Sequence, residues 1–124
     1  MAILPPPAGQ DFYATMRNLK WSSTEKAIAR KAFDRALQQE LDAAIQSTKQ
    51  MATKIRQASE LWELERYLTQ RRKEIDRRYE YKYSSLLSIF GKLVGEGRLH
   101  TKDLQGLAED KLAYIRREAT RPAA

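Results

Sequence analysis

The sequence predicts an all-α fold, in which a long antiparallel helical hairpin carries a short C-terminal helical head and the chain forms a homodimer. Apolar residues recur at steps of three and four along most of the chain, which is the spacing of one helix face. No segment shows the sustained apolar–polar alternation of strands. No proline interrupts the chain between Pro7 and Pro122. Long helices are therefore favoured over any other element.

The first helix has a clear start signal. Ser22 and Glu25 have the spacing of a capping box, in which the serine side chain accepts a bond from an open backbone amide and the glutamate bonds back. Apolar residues at helical spacing then run from Ile28 to Ile55. These features predict a first helix over about residues 23–56.

A second helix is predicted from Ser59, a suitable N-terminal residue, to the glycines at Gly95 and Gly97. A third, shorter helix is predicted from Thr101, followed by Asp103, through Ile115. The apolar stripe of the second helix is expected to close the hairpin against the first helix. It contains Leu61, Leu64, Leu68, Ile75, Tyr79, Leu86, Phe90 and Leu93.

The predicted helix lengths favour a dimer. A helix of ~36 residues is about 54 Å long, whereas a compact chain of this size is only about 36 Å across. The remaining residues are too few to cover a hairpin of that length. A second copy is the commonest cover for such an apolar face, so the sequence predicts a homodimer.

Residues 1–20 differ from the rest of the chain. Pro5, Pro6, Pro7 and Gly9 prevent a regular helix there, which predicts a flexible N-terminal arm. Residues 21–120 are expected to form a single all-helical domain.

The residue content argues against an enzyme, a metal site or a cofactor site. The chain has no cysteine and one histidine, His100, so zinc lacks the several nitrogen or sulfur ligands that it needs. His100 beside Thr101 is interpreted as a surface or capping residue. No glycine-rich phosphate loop occurs. A binding or regulatory protein is the better class.

Charge and hydropathy bound the possible partners. The net charge is +7, but residues 59–83 combine seven basic with six acidic side chains, a mixture that would repel a phosphate backbone. Nucleic-acid binding is therefore not expected. No apolar run approaches the ~18 residues of a membrane span, so membrane insertion is not expected. The N-terminus lacks a signal-peptide pattern, which favours the cytoplasm.

Trp62 is placed unusually for a residue of a simple amphipathic helix. It lies about 130° from the centre of the leucine stripe, among charged residues. Pattern alone leaves two interpretations open, in which Trp62 covers the neighbouring helix of the hairpin or contacts another chain. Because tryptophan and arginine often dominate interface energies, Trp62 and Arg72 form a candidate contact pair. Arg72 with Asp76, and Glu74 with Arg78, are expected to support the helix as i,i+4 ion pairs.

The sequence resembles the fluorescence recovery proteins of cyanobacteria from Trp21 to about residue 115. The residues that carry the resemblance are Trp21, Ser22, Glu25, Phe33, Ala36, Glu40, Leu41, Asp42, Leu61, Trp62, Leu64, Leu68, Arg72, Glu74, Ile75, Asp76, Tyr79, Leu93, Val94, Glu96, Gly97, Leu104, Leu107, Asp110 and Lys111. The resemblance implies a helical homodimer without a cofactor. It also implies a regulator that binds the photoactivated red form of the orange carotenoid protein, mainly at its C-terminal domain. Such a regulator speeds the return to the orange form and promotes detachment from the phycobilisome, at the cytoplasmic face of the thylakoid membrane.

The resemblance also implies a set of contact residues. Those for the dimer interface and partner binding are Trp62, Arg66, Arg72, Asp76, Ile45 and Leu41, and those in the head are Phe90, Lys111 and Tyr114. Three positions depart from the pattern: Arg66 replaces an aspartate, Glu65 a histidine and Tyr114 a lysine. Two alternatives therefore stay open, a helical dimer that scaffolds a different protein and a basic dimer associated with nucleic acid.

Overall fold

The computed structural model describes residues 19–122, which form four α-helices and one short 3₁₀ helix. The α-helices are α1 (Ser23–Thr53), α2 (Ala58–Arg78), α3 (Tyr83–Gly95) and α4 (Glu109–Ala119), and the 3₁₀ helix (Thr101–Leu104) lies between α3 and α4. No β-strand occurs within residues 19–122. The all-α prediction is therefore confirmed for the described part of the chain.

The first half of α1 contains buried residues, and the second half does not. Every buried residue of α1 lies between Glu25 and Glu40, and α2 buries only Ile75. We call residues 41–78 the stalk, because the end of α1 and the whole of α2 form an antiparallel hairpin there. The other described residues, 19–40 and 79–122, form the head.

The core of the chain lies in the head. Its largest fully buried apolar side chains are Phe90, Leu86, Leu93, Leu104 and Ile115. Helices α3 and α4 approach each other closely at Gly91, where a Cβ atom would lie 2.3 Å from Cβ of Glu118. Phe33 and three alanines of α1 complete this core, so α1 anchors the head to the stalk.

The predicted single helix from residue 59 to residue 95 is wrong, because residues 79–82 are not helical. The rings of Tyr79 and Tyr81 both pack edge-on against Phe33, at centroid distances of 5.4 and 4.9 Å. Residues i and i+2 of a helix point in nearly opposite directions, whereas in extended chain they point to one side. An extended segment is thus needed for both tyrosines to reach Phe33. The apolar spacing resumes in register at Leu86, which hid the break in the sequence.

The predicted third helix begins later than expected. Thr101 and Asp103 open only the 3₁₀ turn, in which the backbone N–H of His100 donates to Asp103 at 3.1 Å. Gly106 then has a φ of +106°, a left-handed conformation that suits glycine and interrupts a helix. The α-helix starts at Glu109. His100 is exposed, as its interpretation as a surface or capping residue required.

The predicted capping box at the start of α1 is present. The backbone N–H of Ser22 donates to Oε1 of Glu25 at 3.0 Å, and the N–H of Glu25 donates to Oγ of Ser22 at 3.1 Å. The predicted arm, residues 1–20, lies outside the described residues except for Leu19 and Lys20. Leu19 packs against the head core. Across residues 19–122, no helix is both long and apolar enough to cross a membrane.

Candidate protein-binding surface

The stalk exposes large apolar side chains that no element within residues 19–122 covers. Leu41 and Ile45 of α1 are 38% and 49% exposed, and on α2 Leu61, Trp62 and Leu68 are 45%, 53% and 43% exposed. We call these five residues the stalk surface. A concentration of exposed apolar groups on one part of a molecule is typical of a protein–protein contact site. The predicted contact residues Leu41, Ile45 and Trp62 are therefore all accessible on the stalk.

The structure changes the role predicted for the leucine stripe of α2. Leu61 and Leu68 were expected to close the hairpin, but both are exposed, and Ile75 is the buried residue of α2. Arg72 lies on the same face as Leu61 and Leu68, within about 40° of each around the helix axis. Trp62 lies on a neighbouring face, about 100° from Leu61. Both faces of α2 are thus available for contact.

The charged residues of this region are exposed and uncommitted. The predicted ion pair of Arg72 with Asp76 does not form, and within residues 19–122 neither side chain, nor that of Arg66, has an ion pair. Glu74 pairs with Arg71 at 3.6 Å instead of with Arg78. The charges of Arg66, Arg72 and Asp76 are therefore free to bind a partner that contacts Trp62.

The three residues predicted for the head lie inside it. Phe90, Lys111 and Tyr114 are 0%, 3% and 5% exposed. In this structure they cannot contact a partner directly, because other head residues cover them. Their side chains shape the packing of α3 and α4, and through that packing the outer surface of the head.

Lys111 belongs to a buried ion pair that joins α4 to the start of α1. Its Nζ lies 3.0 Å from Oε2 of Glu25 and donates to the carbonyl of Lys20 at 2.8 Å. Burial acts to raise the pKa of Glu25. The hydrogen bonds from the backbone N–H groups of Ser22 and Ala108, together with the Lys111 ammonium, outweigh this effect and lower the pKa to about 2. The carboxylate of Glu25 thus caps α1 and holds α4 at the same time.

A second buried carboxylate, Glu40, lies where the stalk meets the head. The exposed fraction of Glu40 is 2%, and its Oε1 accepts bonds from Nη1 of Arg78 and from the hydroxyl of Tyr79, both at 2.9 Å. Arg98 and Arg71 lie 3.2 and 3.5 Å from its oxygens. Burial, and after it the bond to Glu40, raises the pKa of Tyr79. One carboxylate therefore joins α1, α2, the break after α2 and the turn after α3.

Glu40 was not predicted to be a structural centre, although its spacing in the sequence is a signal for burial. Ala29, Phe33, Ala36 and Glu40 are spaced by four, three and four residues, so Glu40 continues the buried face of α1. A carboxylate on an apolar face needs partners, because burying an unpaired charge costs several kcal/mol. Its arginine partners come from distant parts of the chain, and spacing alone does not identify them.

The described part of the chain has no constellation typical of a metal centre. No group of three or more histidine, aspartate or glutamate side chains within residues 19–122 is arranged to hold a metal ion. The surface geometry instead suits binding, because apolar anchors and uncommitted charges lie together on the stalk.

Comparison with known proteins identifies the family. The sequence model of the family described as "Photoprotection regulator fluorescence recovery protein" matches residues 21–119. The chain belongs to the fluorescence recovery protein family. The curated fluorescence recovery protein of Synechocystis sp. PCC 6803 is 34% identical over 96 residues, which is 77% of this chain and 88% of that protein.

Solved structures of fluorescence recovery proteins share the fold. The structure from Fremyella diplosiphon has a TM-score of 0.78 and 36% identity, and the match covers 82% of this chain and 100% of that one. The structure from Synechocystis sp. PCC 6803 has a TM-score of 0.77 and 34% identity, with 81% and 98% covered. The chain is thus an all-helical member of a family of photoprotection regulators, as the resemblance predicted.

Proposed function

We propose that this protein regulates photoprotection by binding the photoactivated red form of the orange carotenoid protein, through its C-terminal domain, without catalysing a covalent change. It accelerates the return of that form to the orange state and promotes its detachment from the phycobilisome, which restores antenna fluorescence. The protein would act in the cytoplasm, at the cytoplasmic face of the thylakoid membrane when its partner is on the phycobilisome. The family match over residues 21–119 carries this proposal.

The mechanism that fits this role is preferential binding. A protein without a cofactor can speed a conformational change only by stabilising the route between two conformers more than it stabilises the starting conformer. The stalk suits such a role, because it presents the apolar anchors of the stalk surface and the unpaired charges of Arg66, Arg72 and Asp76. Apolar anchors supply affinity, and charges steer and select the partner.

A kinetic experiment tests this function. The carotenoid protein is converted to its red form, and its reversion in the dark is followed by absorbance with and without a stoichiometric excess of this protein. We expect faster reversion, and a smaller acceleration with Arg72→Ala, because Arg72 has an uncommitted charge beside Leu68. Lys31→Ala is the matched control, since Lys31 is an exposed cation on the head half of α1. An unchanged rate with the unmodified protein would reject the proposal.

Glu65 and Arg66 bear on a second candidate function, a helical dimer that scaffolds a different protein. Both are exposed next to Trp62 and depart from the residues that the family resemblance leads one to expect. An acid replaced by a base changes the charge of a contact surface by two, which alters the choice of partner. Absence of an effect on reversion, together with an intact dimer, would favour this second function.

We further propose that two copies associate through the stalk surface. Trp62 is the most exposed large apolar residue of the described chain, and burying such a ring against a second copy would provide a large stabilisation.

Trp62→Ala is expected to weaken this association by about 2 kcal/mol, or roughly thirtyfold in the dimer dissociation constant. Sedimentation equilibrium at several protein concentrations measures that constant. Tyr83→Ala is the control, because Tyr83 is 37% exposed but lies on the head. If both variants dimerise like the unmodified protein, Trp62 does not belong to the interface; if the unmodified protein is monomeric at micromolar concentration, the dimer itself is rejected.

A further inference from the structure

A cleft of about 470 Å³ lies at the junction of the stalk and the head. Its walls come from α1, α2, α3 and the turn that follows α3. Its cationic lining residues are Arg71, Arg77, Arg78, Lys92 and Arg98. This volume lies within the range of small-molecule sites and exceeds that of a single water or ion.

The cations of the cleft outnumber its carboxylates. Three carboxylates, Glu40, Glu74 and Glu96, face five cations, which leaves an excess of two positive charges. The C-terminal ends of α2 and α3 add negative partial charges of about half a unit each. These cancel roughly half of the excess, so the cleft stays positive.

The cations differ in how far they are already engaged. Arg78 donates two bonds to Glu96, at 2.7 and 2.9 Å, and one to Glu40. Arg71 lies 3.5 and 3.6 Å from its two carboxylates, which leaves most of its five N–H donors unused. Arg77 and Lys92 have no ion pair within residues 19–122, and both are exposed. Donors therefore remain on both the stalk side and the head side.

We propose that this cleft binds a phosphate-bearing anion, and that a diphosphate group fits it better than a single phosphate. Guanidinium groups bind phosphate oxygens in forked pairs, and an ammonium adds a point charge. A diphosphate presents more oxygens than a single phosphate to the donors that remain on Arg71, Arg77 and Lys92, on both sides of the cleft. The bound anion would brace the head against the stalk.

Titration calorimetry with sodium pyrophosphate tests the site on the full chain, against sodium chloride at equal ionic strength. We expect saturable binding of pyrophosphate and weaker binding of inorganic phosphate. A parallel titration with a nucleoside triphosphate distinguishes free phosphates from nucleotide-borne phosphates as ligands of the site. The double variant R77Q/K92Q should bind pyrophosphate at least about tenfold more weakly.

The matched control is K31Q/K49Q, which removes two exposed cations of α1 that do not line the cleft. It should retain affinity within about twofold, and circular dichroism should show both double variants folded. Equal loss in the two double variants would mean nonspecific charge attraction and would overturn the proposal. Heat changes with pyrophosphate that match those with chloride would overturn it as well.

Discussion

Glu40→Ala is expected to destabilise the protein by about 3 kcal/mol, the lower end of the range for breaking a buried ion pair. The substitution removes the carboxylate that Arg78 and Tyr79 bind at 2.9 Å. The lower end applies because the arginines are between 20% and 39% exposed, so water can partly replace the lost partner. Urea denaturation followed by circular dichroism, at one fixed protein concentration, measures the free energy of unfolding.

A second variant at Glu40 separates the charge of this residue from its hydrogen bonding, and a variant at Glu63 is the control. Glu40→Gln keeps the size of the side chain and an acceptor for Tyr79 but removes the charge. Its free energy of unfolding should therefore lie between those of the unmodified protein and Glu40→Ala. Glu63→Gln removes an exposed carboxylate of α2 and should change stability by less than about 0.5 kcal/mol. If Glu40→Gln were as harmless as Glu63→Gln, the carboxylate would not hold the junction together.

The second large effect depends on pH. The pKa of Glu25 falls from an ordinary 4.5 to about 2 in the folded protein, which corresponds to about 3 kcal/mol of stability at neutral pH. A carboxyl group whose pKa is lower in the folded than in the unfolded protein stabilises the fold fully at pH values above its unfolded pKa. This stabilisation is lost as the pH falls through the folded pKa. The stabilisation should therefore disappear between about pH 4.5 and pH 2.

Glu25→Gln is expected to cost about 3 kcal/mol at pH 7 and only about 1 kcal/mol near pH 2.5. The cost is large because the variant leaves the Lys111 ammonium, 3% exposed, without its carboxylate. Thermal unfolding of the unmodified protein and of Glu25→Gln, at several pH values from 7 to 2.5, measures the gap in stability between them. Glu63→Gln is the control. A gap that stays constant across this range would mean that the charge of Glu25 does not stabilise the head.

The two buried carboxylates hold different parts of the molecule. Glu25 joins the start of α1 to α4 within the head, and Glu40 joins the head to the stalk. Glu40→Gln should therefore loosen the junction, whereas Glu25→Gln should loosen the head core.

The all-α fold and the start of α1 could be predicted from the sequence, because each depends on local pattern. The Ser22–Glu25 capping box is a four-residue signal, and apolar residues at helical spacing need no distant partner. The sequence places Trp62 among charged residues but leaves open whether it covers the neighbouring helix or contacts another chain. In the structure Trp62 is 53% exposed, and its contact with another chain stays a prediction.

What only the tertiary structure decided has long-range causes. The break after Arg78 depends on Phe33, which draws Tyr79 and Tyr81 to one side. The burial of Phe90, Lys111 and Tyr114 depends on the packing of α3 against α4. Leu61 and Leu68 stay exposed because no element within residues 19–122 covers them. A sequence pattern fixes the period of an apolar face, but which element covers that face depends on contacts between residues far apart in the chain.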